Sequence, residues 1–366
     1  MNINRLALTG FRNYEWETLE FLPGTNVISG NNAQGKTNLL EAVYLLSYGH
    51  SFRTRSDREL VGFEYSSGDV LADISSHGRE QTVNIQLRPG SQKKILVNGV
   101  KKSASELSET LNVVLFCPDD LELIKSGAAV RRRLLDNAIC QIRPQYAAIL
   151  SEFNRLYEHK TRILKDWHEK PSLLDTLDEF SDAICRCSAK LIRYRAAYVQ
   201  RLAEYAASVH SEFSGRGENL EVSYKTLSTV QDPLASEKSI YYDVCSYQES
   251  HRSAELDSAQ CLTGAHRDDL EIAINGYSAR SFASQGQTRT AALSLKLAER
   301  DILLAETGEY PVLLLDDVLS ELDPKRQEFV LNRLDGGQTL ITCCEDEGIS
   351  NRTGAKVIFV ENGRIN

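Results

Sequence analysis

Nine consecutive residues, Gly30-Asn31-Asn32-Ala33-Gln34-Gly35-Lys36-Thr37-Asn38, narrow the folds open to this chain more than any other feature. They satisfy G-x-x-x-x-G-K-[ST] in full. Upstream, Thr25-Asn26-Val27-Ile28-Ser29 is a short β-rich run, and downstream Leu39, Leu40, Val43 and Leu46 recur at helical spacing. Strand, glycine turn and helix in that order form a phosphate cradle. Gly30 and Gly35 let successive backbone N–H groups turn inward, and the helix that follows adds the positive end of its dipole. Lys36 is placed to reach the β- and γ-phosphates, and the Thr37 hydroxyl to ligate Mg²⁺.

Composition limits what can be built around this cradle. At 366 residues the chain can hold two domains or one large lobed one. No run approaches 18 apolar residues, and Met1-Asn2-Ile3-Asn4-Arg5 lacks a signal-peptide core, so a cytoplasmic protein that neither spans nor crosses a membrane is expected. The eight cysteines include no C-x-x-C, which favours reduced thiols over a disulfide frame or zinc site. A net charge of −9 confines any nucleic-acid binding to a local basic face.

Along the chain, residues 2–9 and 14–21 read as strands, and the loop helix ends near Gly49. Residues 69–100 alternate with period two (Val70, Ala72, Ile74; Val83, Ile85, Leu87) and carry the hairpin signal Asn98-Gly99. This predicts a small antiparallel sheet inserted after the cradle. Residues 128–213 turn helical. Tyr146, Phe153 and Trp167 share one seven-residue grid that only Lys160 interrupts, and Leu177, Ile184, Leu191, Tyr198 and Tyr205 continue the spacing after Pro171. Two such seams read as a helical hairpin with arms of roughly 40–60 Å, or as a compact helical subdomain. The final hundred residues alternate α and β. The expected division is 1–127 for the cradle and β-insert, 128–218 for the helical arm, 219–280 for a link back to the head, and 281–366 for the rest of the head.

A phosphate loop needs a second strand that ends in acids. Pro311-Val312-Leu313-Leu314-Leu315-Asp316-Asp317 supplies one, with Asp316 expected to hold Mg²⁺ through water and Asp317 to orient or deprotonate the attacking water. About 280 residues separate Lys36 from Asp316, so a large insertion lies between them. Just before the acidic strand, Ser284-Gln285-Gly286-Gln287 combines a hydroxyl, a glycine N–H and a helix N-terminus into a second anion site. Within one molecule it would be redundant. The economical reading is that it caps the γ-phosphate of ATP held by another copy, in a head-to-tail dimer; a simple helix cap is the plainer alternative.

Taken together and in order, these stretches resemble the RecF family, whose heads are ATP-binding cassettes of the SMC type. The resemblance covers essentially the whole chain and rests on Phe11-Arg12-Asn13-Tyr14, the run Gly30 to Ala42, Arg131-Arg132-Arg133-Leu134-Leu135-Asp136, Gly264-Ala265-His266-Arg267-Asp268-Asp269-Leu270, Ser281 to Gln287, and Leu315 to Asp323. It implies an α/β head of ABC type with an inserted antiparallel β-subdomain and a helical-hairpin arm. It also implies an ATP-dependent DNA-binding homodimer with slow, DNA-stimulated hydrolysis, acting with RecO and RecR at gapped DNA to help load RecA. By position Arg12 and Asn13 resemble the segment against base and sugar, Ser320 and Asp323 the D-loop that crosses the dimer interface, and Asp119 or Asp120 the glutamine-loop residue, a further candidate Mg²⁺ ligand. The chain departs from the pattern at Asp317, where transporters and SMC heads carry Glu, and at Thr342-Cys343-Cys344, where no switch histidine follows.

For DNA the candidates are Arg53, Arg55, Arg58, Lys93, Lys94, Lys101, Lys102, and Arg131, Arg132 and Arg133, with Arg155, Lys160, Arg162, Lys165, Arg193, Arg195 and Arg201 on the arm. A solvated basic face leaves the same pattern. No base-reading module is present, so duplex or single-strand binding at junctions and gaps would be led by phosphate contacts. A transporter cassette would carry a signature nearer Ser-Gly-Gly-Gln and no arm. A structural SMC protein would need hundreds of heptad residues.

Overall fold

Apolar runs from distant parts of the chain form the central sheet. In the computed structural model, which describes residues 1–215, 217–344 and 349–365, the strand Thr25–Ser29 lies between Lys356–Glu361 and Thr339–Cys343. Val312–Asp316 and Val113–Phe116 follow on the Thr339–Cys343 side, all parallel, and Arg364–Ile365 pairs antiparallel at the other edge. Every residue of Val113–Phe116, Val312–Asp316 and Thr339–Cys343 is buried, as expected of strands covered on both faces. The register sets Asp316 opposite Thr342 and Cys343 opposite Ser29, so the glycine turn and both acids leave the same carboxyl edge.

The predicted antiparallel insert is present but larger. Its strands Gly68–Ser76, Arg79–Leu87, Lys94–Val97 and Val100–Lys102 continue onto Asn2–Phe11 and Tyr14–Glu20 in one six-stranded sheet. Val70, Ala72 and Ile74 face inward, and Asn98 and Gly99 both take positive φ (50° and 78°), as the tight hairpin requires. Ile3, Leu6 and Leu8 share one core with Leu39, Val43 and Ile85. The N-terminal strands join this sheet because their alternating apolar faces have nowhere else to be buried.

The chain divides into two compact units, residues 1–122 with 292–366, and residues 123–291. The second differs from the expected arm plus link. The long helices Pro144–Asp166 and Leu177–Phe213 do pack as a hairpin, with Tyr146, Phe153, Ile184, Leu191 and Tyr198 buried on the predicted grid. Residues 219–280 do not return to the head. Their helix Glu237–Ser258 and strands Leu220–Lys225 and Asp269–Ile274 complete the second unit instead. Leu227, Val230, Ile240 and Val244 cover Cys185, Ala189 and Ile192 of the long helix. Lys160, the interruption in the grid, explains the arrangement. It is fully buried, and its Nζ lies 2.6 Å from Gln248 Oε1 and 2.7 Å from Glu255 Oε2, both on Glu237–Ser258.

Candidate nucleotide site

The turn after Thr25–Ser29 is shaped by close approach. A Cβ on Gly30 would stand 2.3 Å from the Val360 carbonyl oxygen, and one on Gly35 2.8 Å from the Asn13 amide, with φ of 153° and 120°. No larger residue fits either place. Ala33 completes the curl at φ 64°. Lys36 Nζ donates to the carbonyls of Gly30 (2.7 Å) and Asn31 (3.0 Å), so the ammonium lies inside the curl, where a phosphate oxygen would compete for it.

Thr37 and Asp316, so far apart in sequence, meet. The Thr37 hydroxyl donates to Asp316 Oδ1 at 2.9 Å, and the Thr342 hydroxyl donates to the same oxygen at 2.9 Å. Asp316 is 6% exposed; burial pushes its carboxyl up, the two hydroxyls pull it down, the neighbouring Asp317 pushes it up again, and the more distant Arg53 charge pulls it down. Among the described residues it has no ion-pair partner. A buried carboxylate beside a threonine oxygen, with no lysine or arginine in ion-pair contact among the described residues, fits a hard divalent cation that keeps several waters, as Mg²⁺ does.

Asp317 adopts φ 50°, which is uncommon outside glycine and concentrates at working sites. The turn is held by Thr342, whose Oγ1 accepts the Asp317 N–H at 2.8 Å, and by the Ser320 hydroxyl donating to the Asp317 carbonyl at 2.7 Å. The Asp317 carboxylate makes no hydrogen bond among the described residues and remains an acceptor for water. Thr342 thus ties both acids together. In the sequence Thr342 is only part of a strand end without histidine; its position opposite Asp316 follows from the strand register.

A polar chain borders the loop on its other side. Asn13 Nδ2 donates to the Gln34 carbonyl (2.9 Å), Asn38 Nδ2 to Asn13 Oδ1 (2.7 Å), and Arg53 to Asn38 Oδ1 (2.7 Å). Arg12 is held bidentate by Glu41 (2.7 and 2.8 Å), a fully buried carboxylate that the sequence did not single out. Its signal was an acid on the apolar face of the loop helix, between Leu40 and Ala42. An open groove of about 1310 Å³ runs along Arg12, Asn13, Asn38, Arg53, Arg58 and Phe63. Arg53, expected to contact DNA, therefore belongs to the margin of the phosphate loop.

Other expectations change in detail. Asp120 Oδ2 accepts the Cys117 N–H at 2.9 Å and closes the cap of Pro118–Leu121, while Asp119 is exposed. Gln285, Gly286 and Gln287 form the first turn of the helix Gln285–Thr307, with Ser284 just before it, so the polar loop is shorter than predicted. Gln287 N–H donates to Ser284 Oγ (3.2 Å) and Ser284 N–H to Gln287 Oε1 (2.9 Å), a reciprocal cap. Asp323 likewise caps Pro324–Leu331, accepting the Arg326 N–H at 3.1 Å.

Several basic residues proposed for DNA are structural. Arg131 is 3% exposed and forms a bidentate pair with Asp269 (2.7 and 2.8 Å); Arg132 donates to the Asp268 carbonyl (2.7 Å). Lys160 is paired as described above. Arg195 is buried against Asp268 (2.6 Å), Asp136 (2.8 Å) and the Ala265 carbonyl (2.6 Å). Asp268 also accepts from the hydroxyls of Tyr224 (2.5 Å) and Thr226 (2.7 Å), so the polar run at 264–269 is an interior clasp of the second unit. Arg55, Arg58, Lys101 and Arg133 remain exposed, and Lys102 is half-buried beside Glu106. Among the described residues no helix is long and apolar enough to cross a membrane, and no acid, histidine and cysteine cluster forms a separate metal site.

Comparison with known proteins agrees with this geometry. Residues 2–366 match the RecF/RecN/SMC N-terminal domain family. The DNA replication and repair protein RecF of Acetivibrio thermocellus is 38% identical, and that of Listeria monocytogenes 40%, each over 100% of this chain and 99% of the relative. The solved structure of the recombination mediator protein RecF with ATP, from the RecFOR pathway, is similar at a TM-score of 0.90 and 35% identity, covering 100% of this chain and 96% of that one. The Smc head domain of Pyrococcus furiosus shares the fold alone, at a TM-score of 0.57 and 17% identity. With full-length identity to RecF proteins and the fold of an SMC-type ATPase head, the chain belongs to the RecF family of DNA replication and repair proteins.

Proposed function

We propose that the chain is an ATP-dependent DNA-binding protein of recombinational repair, in which ATP joins two copies and slow hydrolysis lets them part. The observation that carries the ATP half is the junction of Thr37, Asp316, Thr342 and Asp317, built from segments about 280 residues apart. Lys36 would bind the β- and γ-phosphates, and Thr37 and Asp316 would hold Mg²⁺, which supplies charge neutralisation at the phosphates. Asp317, with its carboxylate directed by the φ 50° turn, would orient the attacking water. Its side chain is one methylene shorter than Glu, which supports slow turnover.

Ser284, Gln285, Gly286 and Gln287 would meet the γ-phosphate bound by the other copy, with Ser320 and Asp323 close to the same interface. The reciprocal cap supports this assignment, because Ser284 Oγ accepts the Gln287 N–H and so has its own proton left to donate. DNA binding would use Arg55, Arg58, Lys101, Lys102 and Arg133, and would be structure-sensitive and salt-dependent. The similarity to RecF of the RecFOR pathway supports RecO and RecR as partners and the loading of RecA at gaps or strand junctions as the outcome.

Light scattering with ATP, ADP and gapped duplex in all combinations tests the scheme. ATP, and not ADP, should double the mass. Ser284→Arg should abolish that doubling while leaving ATP binding by the monomer unchanged. Normal dimerisation of Ser284→Arg would refute the in-trans role.

A further inference from the structure

The serine turn does not hold its geometry alone. Gln287 is its pivot: Oε1 accepts the Ser284 N–H at 2.9 Å, while Nε2 donates to Glu218 Oε1 at 2.7 Å. Glu218 is anchored in turn. Its backbone N–H reaches Ser214 Oγ (3.3 Å), and its second oxygen lies 3.2 Å from Nε2 of His210, a fully buried ring in the last turn of Leu177–Phe213. On the other flank, Lys125 Nζ donates to the carbonyls of Ala279, Arg280 and Ala283 (2.9 to 3.2 Å) and pins the segment leading into Ser284.

The chemistry of an amide makes this arrangement directional. A carboxylate only accepts, so Glu218 requires the NH₂ end of Gln287, and the oxygen end must then face the Ser284 N–H. A flipped amide would set oxygen against carboxylate and NH₂ against N–H. Without Glu218 both orientations become accessible, and the reciprocal cap that leaves the Ser284 proton available for an anion is no longer fixed.

We infer that Glu218 is a positioning residue for the serine turn, acting through the Gln287 amide and braced by His210 on the long helix. The inference rests on the proposed in-trans role of Ser284 and extends it. A change at the C-terminal end of Leu177–Phe213 reaches the turn through two side-chain hydrogen bonds.

The test compares Glu218→Ala and Glu218→Gln with the parent full-length chain. ATP-driven dimerisation is followed by light scattering, monomer ATP affinity by titration calorimetry at low protein concentration, and folding by thermal melting. Glu218→Ala should raise the ATP concentration needed for half-dimerisation about tenfold, with monomer ATP affinity and Tm unchanged. Glu218→Gln keeps an acceptor oxygen for Gln287 but adds an NH₂ that tolerates the flipped amide, so it should fall between the parent and Glu218→Ala. Parent-like dimerisation of Glu218→Ala overturns the inference. So does an equal loss in both variants, a weakened monomer affinity, or a Glu218→Ala chain that fails to fold, each of which would make Glu218 merely structural. Ser284→Arg separates the two levels: if it blocks dimerisation while Glu218→Ala does not, only the positioning role fails, and if it does not block, the in-trans reading fails first.

Discussion

Replacing Arg195 by Met should destabilise the second unit by about 3–5 kcal/mol, the usual cost of stranding one partner of a buried pair. Arg195 is 2% exposed and Asp268 0%, and their 2.6 Å contact is the only ion pair that the Asp268 carboxylate makes among the described residues. Methionine fills much of the arginine's volume, so the loss is electrostatic more than steric. Burial pushes the Asp268 carboxyl up while Arg195 and the hydroxyls of Tyr224 and Thr226 pull it down; in the variant only the hydroxyls would oppose burial. Asp136, 18% exposed, can turn to water and adds less.

The chain contains two tryptophans, Trp16 and Trp167, one in each unit. In a Trp16→Phe background, Trp167 fluorescence therefore follows the second unit alone. With a urea m-value of about 2 kcal/mol/M, the midpoint should fall by roughly 1.5–2.5 M. A carboxyl whose folded pKa exceeds its unfolded one stabilises the fold below the unfolded value, and that stability is lost as pH rises through the folded value. The deficit should accordingly be smaller at pH 5 than at pH 8. Adding Asp268→Asn to Arg195→Met removes the stranded charge and should recover part of the loss. A deficit under about 1 kcal/mol, or a double variant weaker than the single one, would refute the reasoning.

Three further outcomes follow from the geometry. Thr342→Val removes the donor to Asp316 and the acceptor for Asp317 N–H together, and should slow phosphate release at least about tenfold with ATP affinity within a few-fold of the parent. Asp317→Asn should yield a dimer that persists with ATP and does not hydrolyse it; turnover at the parent rate in a phosphate-release assay would reassign the base. Arg133→Gln should weaken duplex binding and flatten its salt dependence, whereas Arg131→Gln should lower the Tm through loss of the Asp269 pair; reversal of the two effects in binding and melting assays would contradict the placement of these side chains.

The cradle, the alternating strands and the acidic strand were legible because each is a local pattern of residue type and spacing. What was not legible was pairing across long separations. Nothing near Lys160 announces Gln248 or Glu255, so a buried lysine read as a break in the apolar grid and as a surface cation. Arg131 and Arg195 were more recoverable. Arg131 shares a helical face with Leu134, Leu135 and Ala138, and Arg195 with Ile192, Val199 and Leu202, all buried. Helical period alone places both guanidinium groups inside, where they need acids. Glu41 is the same kind of residue. The link assigned to 219–280 failed because a helix with Gln248 and Glu255 on its inward face looks polar until its lysine partner is known.

The order of strands in the parallel sheet has a consequence for synthesis. Thr25–Ser29 leaves the ribosome more than 300 residues ahead of both of its neighbours in the sheet, Thr339–Cys343 and Lys356–Glu361. At about 5–20 residues per second, some 15–60 s pass between the appearance of Lys36 and that of Asp316. Through that interval Val27 and Ile28 have no native strand beside them, so the growing polypeptide carries an open apolar edge. The candidate nucleotide pocket therefore stays open until its second half has been made, and a product ending before Asp316 would retain the glycine turn without the acids that the fold sets beside it.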